Sequence, residues 1–161
     1  MYAYAVAKEF GIEFENYNKF NFLSLNGRNK IIKSEKTTIL DETYNASPES
    51  VKACIENLLD YPNNHFLILG SMKELGKQSK KYHMEIFDFI INSDIKKCIF
   101  ICDSNDEIYY SNFLKKSNKF LLLNKLNNVG NTINKYTKKG DFILLKGSRY
   151  WQLEKVIKSI N

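Results

Sequence analysis

His65-Phe66-Leu67-Ile68-Leu69-Gly70 is a nearly unbroken apolar run closed by a glycine, and the pattern on its carboxyl side decides the fold. Residues 79–92 place Tyr82, Ile86, Phe89 and Ile90 on one side of a helix, and Lys97-Cys98-Ile99-Phe100-Ile101-Cys102 returns to a short apolar run. Both runs are too apolar to leave one face in water. Two such strands joined by an amphipathic helix make a βαβ unit, which implies a parallel sheet covered on both sides.

The alternation extends in both directions. Upstream, 30–33 and 37–40 are short strands, expected to pair antiparallel at an edge. Ser47 then caps a helix with Pro48 in its first turn, where a missing N–H costs nothing, and Val51, Cys54, Ile55, Leu58 and Leu59 form its apolar face. Downstream, Ser104 and Glu107 read as a capping box for a helix carrying Ile108 and Phe113. Residues 120–123 form a strand, and Asn124 caps a helix with Leu126, Val129 and Ile133. The last strand is 141–145, and the last helix, 151–160, aligns Leu153, Val156, Ile157 and Ile160.

The expected fold class is α/β: a three-layer Rossmann-like domain with a mostly parallel sheet and helices on both faces, preceded by a short N-terminal helical segment. In that segment 1–10 reads as a helix ended by Gly11, 13–20 as another turn or two, and Gly27 as a turn. The organisation expected is therefore a helical tail and linker over 1–27 and one domain over 28–161.

Bulk properties bound the function. With 161 residues and 43% hydrophobic content, the chain can build one core. No apolar run approaches the ~20 residues of a membrane span, and the first ten residues lack the features of a signal peptide. Cys54, Cys98 and Cys102 fall at core-type positions without framework spacing, as expected of reduced thiols in a cytoplasmic protein. No metal-ligand spacing joins them to His65 or His83. The net charge of +6 comes from scattered lysines with little arginine, so nucleic acid is not expected as a partner, whereas anionic small molecules suit the charge.

In a parallel sheet ligands sit beyond the carboxyl ends of the strands, which nominates four loops. The loop 70–79 imitates a phosphate loop, but five residues separate its glycines and Gln78 stands where a magnesium-binding hydroxyl belongs. Asp103, with Asp41 and Glu42 as an acidic pair, would suit a receiver-like module; Asp103 and Ser104 also suit a plain turn and helix cap. Asp41-Glu42-Thr43-Tyr44-Asn45 sets a carboxylate able to accept ribose hydroxyls beside an aromatic ring and an amide, although Asn45 and Ser47 also suit a turn and a cap. Lys146-Gly147-Ser148-Arg149 brings two cations and a hydroxyl to a strand end that opens a helix, suited to a carboxylate or phosphate or to a solvated basic turn.

Taken together, Gly27-Arg28, Ile39-Leu40-Asp41-Glu42-Thr43-Tyr44-Asn45-Ala46-Ser47-Pro48, Leu67-Ile68-Leu69-Gly70-Ser71-Met72-Lys73-Glu74-Leu75-Gly76 with His83 downstream, and Lys146-Gly147-Ser148-Arg149 with Glu154 resemble one family in order and spacing. The chain is similar over its whole length to the C-terminal domain of Mur ligases, specifically the branch that adds D-alanyl-D-alanine to UDP-N-acetylmuramoyl-tripeptide. Residues 1–25 are similar to the helical end of the preceding central ATPase domain.

The resemblance implies an ATP-dependent ligase of peptidoglycan synthesis. ATP phosphorylates the terminal carboxylate of the tripeptide, and the dipeptide amine attacks the acyl phosphate. Magnesium is bound mainly by the central domain, and the C-terminal domain closes to complete the ATP and dipeptide sites. Carried over by residue, the resemblance implies nucleotide contacts from Arg28, Glu42, Tyr44 and Asn45, with Glu42 at the ribose. It implies dipeptide contacts from Asn45, Ser148 and Arg149. It implies no catalytic or metal-binding residue acting in this chain alone, a UDP-sugar substrate reached through other domains, and a monomer. These residues contain no glycine-rich phosphate loop, so ligase turnover is not expected from them alone. The alternative is a stand-alone α/β ligand-binding or receiver-like module.

Five positions depart from the family pattern. Glu42 stands in place of Asp, Ser47 in place of Asn and Ser71 in place of Asp, and Tyr150-Trp151 replaces smaller or more flexible residues, which bears on the shape of the dipeptide pocket.

Overall fold

A computed structural model of the chain describes residues 8–11 and 26–160, less the side chains of residues 105, 108, 109 and 112. Lys8 and Glu9 are helical, and Gly11, at φ +67°, closes a turn onto the Lys8 carbonyl. The remaining helical segments expected over 1–25 lie outside the described residues, as does the side chain of Ile108.

The elements run β1 (Lys30–Lys33), β2 (Thr38–Glu42), α1 (Pro48–Leu59), β3 (His65–Gly70), α2 (Ser79–Ile91), β4 (Ile95–Ile101), α3 (Ser104–Leu114), β5 (Phe120–Leu123), α4 (Val129–Ile133) and β6 (Phe142–Lys146). Two 3₁₀ segments, Arg149–Trp151 and Leu153–Ser159, close the chain. The sheet order is β1-β2-β6-β3-β4-β5, parallel throughout except for the antiparallel edge pair β1–β2.

That order fixes the layers. Steps from β2 to β3, β4 and β5 all travel the same way across the sheet, so right-handed crossovers put α1, α2 and α3 on one face. The return from β5 to β6 travels backwards and must put α4 on the other. Two apolar clusters record this division. Leu67, Leu69 and Phe100 pack under Val51, Ile55, Phe87 and Ile90, whereas Phe66, Ile68 and Ile143 pack under Val129, Ile133, Leu153 and Val156. The chain is thus the three-layer α/β domain that strand–helix alternation implies.

Three local expectations are corrected. The helix expected over 151–160 is not α-helical; Gln152, at φ +50°, breaks it into 3₁₀ pieces. Leu153, Val156 and Ile160 still reach the core, because a spacing of three or four serves either helix type. Ser104 and Glu107 form no capping box: Asp103 is the N-cap, and the Glu107 carboxylate accepts a hydrogen bond from Asn124 Nδ2 at 3.2 Å. With its side chain engaged there, Asn124 caps nothing, and α4 begins after Asn128 in the left-handed region.

The thiols behave as core groups. Cys98 and Cys102 are buried and free, and burial raises both, Cys102 to about 12. Among the described residues no helix is long and apolar enough to cross a membrane.

Candidate functional site

Because β6 enters between β2 and β3 while its connections use the opposite face, crevices open at its carboxyl end on both sides. Two neighbouring clefts occupy this edge of the sheet and share Tyr44 and Asn45 as a common wall.

The first, of about 350 Å³, is lined by Arg28, Glu42, Tyr44, Asn45 and Lys146 among others. Its shape depends on one glycine. Gly27, at φ +75°, accepts the Tyr44 N–H at 3.0 Å, and a Cβ there would stand 2.8 Å from that same nitrogen. This close turn carries Arg28 over the Tyr44 ring, 4.1 Å from its centre, and brings the Asn29 N–H to Glu42 Oε1 at 2.8 Å. Residues 13 or more positions apart in sequence are thereby fixed as one group.

Asp41 takes no part in it. Its carboxylate is buried and accepts from the Thr43 N–H and hydroxyl, at 3.2 and 2.7 Å, so it shapes the turn. Glu42 lies opposite Lys146 in register. Burial, with the Glu42 carboxylate, raises the Cys54 thiol despite the nearby Lys146 cation. Lys146 itself is buried and donates to the Asn45 carbonyl at 2.6 Å. Ser47 caps α1 as expected, in a reciprocal bond pair with Ser50.

The second cleft, of about 550 Å³, is lined by Tyr44, Asn45, Lys73, Glu74, Asp103, Ser148, Arg149 and Tyr150. Ser148 is buried and caps the 3₁₀ turn, while the Arg149 guanidinium is held by Glu154 at 2.8 Å. Two features here were not read from the sequence. Lys73 and Asp103 form an ion pair, and the Tyr150 hydroxyl donates to the other Asp103 oxygen at 3.2 Å. The signal was available: both residues lie just past the ends of adjacent parallel strands, β3 and β4. The second feature joins two departures from the family pattern, since Trp151 Nε1 donates to the carbonyl and hydroxyl oxygens of Ser71, at 3.0 and 3.2 Å. The small hydroxyl makes room for the indole.

His83 supports this loop from beneath. Its buried Nε2 accepts the Met72 N–H at 2.9 Å, so Nδ1 carries the proton and donates to the Ser79 carbonyl at 2.7 Å. Burial, aided by Lys73, lowers its pKa from the ordinary 6.5, against the Ser79 carbonyl and Asp106. The unfolded chain therefore takes up this proton before the native state does. The stability contributed is complete above pH 6.5 and drains as pH falls from there through the depressed native value. Denaturant unfolding at pH 7.5 and 5.5 is expected to show this loss; in His83→Gln the difference between the two pH values should shrink. An unchanged difference would refute the assignment.

The six residues nominated from sequence, Arg28, Glu42, Tyr44, Asn45, Ser148 and Arg149, all line one or both clefts. The receiver-like arrangement is not assembled: Asp41 and Asp103 belong to strand ends separated by β6 and β3, and no metal-type cluster of three acidic, His or Cys groups occurs among the described residues.

Residues 27–149 match the family model described as Mur ligase, glutamate ligase domain. The chain belongs to the Mur ligase C-terminal domain family. Among its relatives, the UDP-N-acetylmuramoyl-tripeptide--D-alanyl-D-alanine ligase of Rickettsia prowazekii is 34% identical over 135 residues, covering 81% of this chain and 29% of the relative. The Bacillus subtilis ligase of the same name is 31% identical over 168 aligned positions, covering 99% of this chain and 36% of the relative. A crystal structure of the MurF ligase from Thermotoga maritima in complex with ADP superposes with a TM-score of 0.80 at 28% identity, covering 96% of this chain and 35% of that one. The Mur ligase domain described here thus spans about a third of the length of these relatives.

Proposed function

We propose that the domain serves an ATP-dependent ligase that joins D-alanyl-D-alanine to UDP-N-acetylmuramoyl-tripeptide in cytoplasmic peptidoglycan synthesis. The observation that carries this reading is the pair of clefts meeting at Tyr44-Asn45, one suited to a nucleotide and the other to a small charged amino compound. The named activity of the relatives and the ADP in the Thermotoga structure support it.

In this reading Arg28 faces phosphate oxygens, held by its stack on Tyr44. Glu42 accepts the ribose hydroxyls, its position fixed by the Asn29 N–H. Asn45, Ser148 and Arg149 border the dipeptide. ATP, when bound, supplies the phosphoryl group that activates the acceptor carboxylate. Magnesium would be held mainly by a central domain rather than by these clefts. Residues 1–27 would be the helical end of that central ATPase domain, and the 161 residues alone, a monomer, would contribute binding without turnover.

The direct test is an ADP titration of the ¹⁵N-labelled chain. Amide shifts are expected at Arg28, Glu42, Tyr44 and Asn45, and Glu42→Ala should weaken binding about tenfold, as loss of one charge-assisted contact predicts. Shifts confined to another face of the domain would remove the nucleotide assignment.

A further inference from the structure

We infer that the second cleft selects zwitterions: Asp103 receives the ligand's ammonium and Lys73 its carboxylate, as the ion pair between them opens. The inference deepens the dipeptide reading and rests on it. Three observations carry it.

First, the pair lies within the cleft with side chains 27% and 35% exposed. Pairs this accessible are held together only weakly, so a ligand can open one at little cost. Second, both charges are held in place by other groups. Tyr150 Oη occupies one Asp103 oxygen at 3.2 Å and leaves the other facing the lysine. The Lys73 ammonium lies 4.8 Å from the centre of the Tyr150 ring and 5.4 Å from that of Trp151, and the N–H of the preceding residue is fixed by His83. Separated from Asp103, the lysine keeps two aromatic faces that favour a cation. Third, of the two cations lining the cleft only Lys73 has its carboxylate partner in the lining as well, because Arg149 pairs with Glu154, which does not line it.

Charge matching then sets the preference. A zwitterion supplies one positive and one negative group, so every charge in the opened pair is matched again. A ligand carrying one charge can replace only one partner and strands the other in a partly desolvated cleft.

The test titrates the chain with D-alanyl-D-alanine, its N-acetyl form and its C-terminal amide. Amide shifts of Lys73, Asp103 and Tyr150 and the emission of Trp151, the only tryptophan, report binding. The zwitterion is expected to bind at least about tenfold tighter than either analogue. Asp103→Asn should erase its advantage over the N-acetyl form only, and Lys73→Met its advantage over the amide only. Tyr150→Phe, which removes a single hydroxyl, should weaken the zwitterion about threefold and leave the N-acetyl form unchanged; it carries the test if either charge variant fails to fold. Equal binding of all three ligands, or variants that weaken all three alike, would overturn the inference while leaving the dipeptide cleft in place. A dipeptide that perturbs nothing in this cleft, while ADP perturbs its own, would overturn both.

Discussion

Gly70→Ala is expected to lower the stability of the domain by about 2–4 kcal/mol, a drop in Tm of about 5–15 °C for a chain this size. Gly70 ends β3 without a positive φ, so the glycine is not required by its backbone conformation. The requirement is steric. A Cβ at this position would sit 2.6 Å from Trp151 Cδ1 and 3.0 Å from Cγ. The indole cannot yield cheaply, since it is buried and its N–H is satisfied by Ser71. Moving it costs overpacking strain and leaves a buried donor unpaired, each worth about 1–3 kcal/mol. Denaturant midpoints measure the loss. A double-mutant cycle isolates its cause: in a Trp151→Ala background the clash is gone, and Gly70→Ala should cost less than about 1 kcal/mol, within the usual range of mild substitutions. An unchanged penalty in that background would show that the indole is not what excludes the side chain.

The same contact shows where sequence reading succeeds and stops. Phe120–Leu123 and His65–Gly70 are legible because an apolar run between polar turns has one stable place in an alternating chain, a buried strand. Strand ends are harder. Asp41, Glu42 and Lys146 read as loop residues by polarity, yet pairing between β2 and β6 continues through Glu42 and Lys146, and both Asp41 and Lys146 are buried. Hydrogen bonding to a neighbouring strand is non-local and leaves no periodic trace. The broken C-terminal helix fails for a related reason, because it depends on a tryptophan anchored to a residue 80 positions away in sequence.

For the candidate site, the strand-end rule located four of the loops that line the clefts, and the turn carrying Arg28 was nominated by the family resemblance alone. The residues carried over by resemblance all line the clefts. What remained hidden was pairing: that Asp41 would turn inward to Thr43, that Arg149 would be held by Glu154, and that Lys73 would meet Asp103. The two departures at Ser71 and Trp151 looked independent in sequence and are one contact in space.

Lys146→Met is expected to separate stability from binding. The lysine is 4% exposed, and among the described residues its hydrogen-bond partner is the Asn45 carbonyl. Removing that charged bond would forfeit about 1.5–3 kcal/mol if the carbonyl were left dry. Asn45 is an exposed residue, so water can replace the donor. Against this small loss stands the desolvation of a buried ammonium, several kcal/mol, which a methionine of similar shape avoids. Thermal unfolding should therefore show a Tm unchanged or raised. Binding should move the other way. Lys146 lines the first cleft together with Glu42, its register partner, and fixes the loop that both clefts share, so the ADP affinity of the chain is expected to fall about 30-fold, worth about 2 kcal/mol. A clear loss of stability with ADP binding intact would instead make the lysine a structural residue, and would leave the nucleotide to Arg28, Glu42, Tyr44 and Asn45.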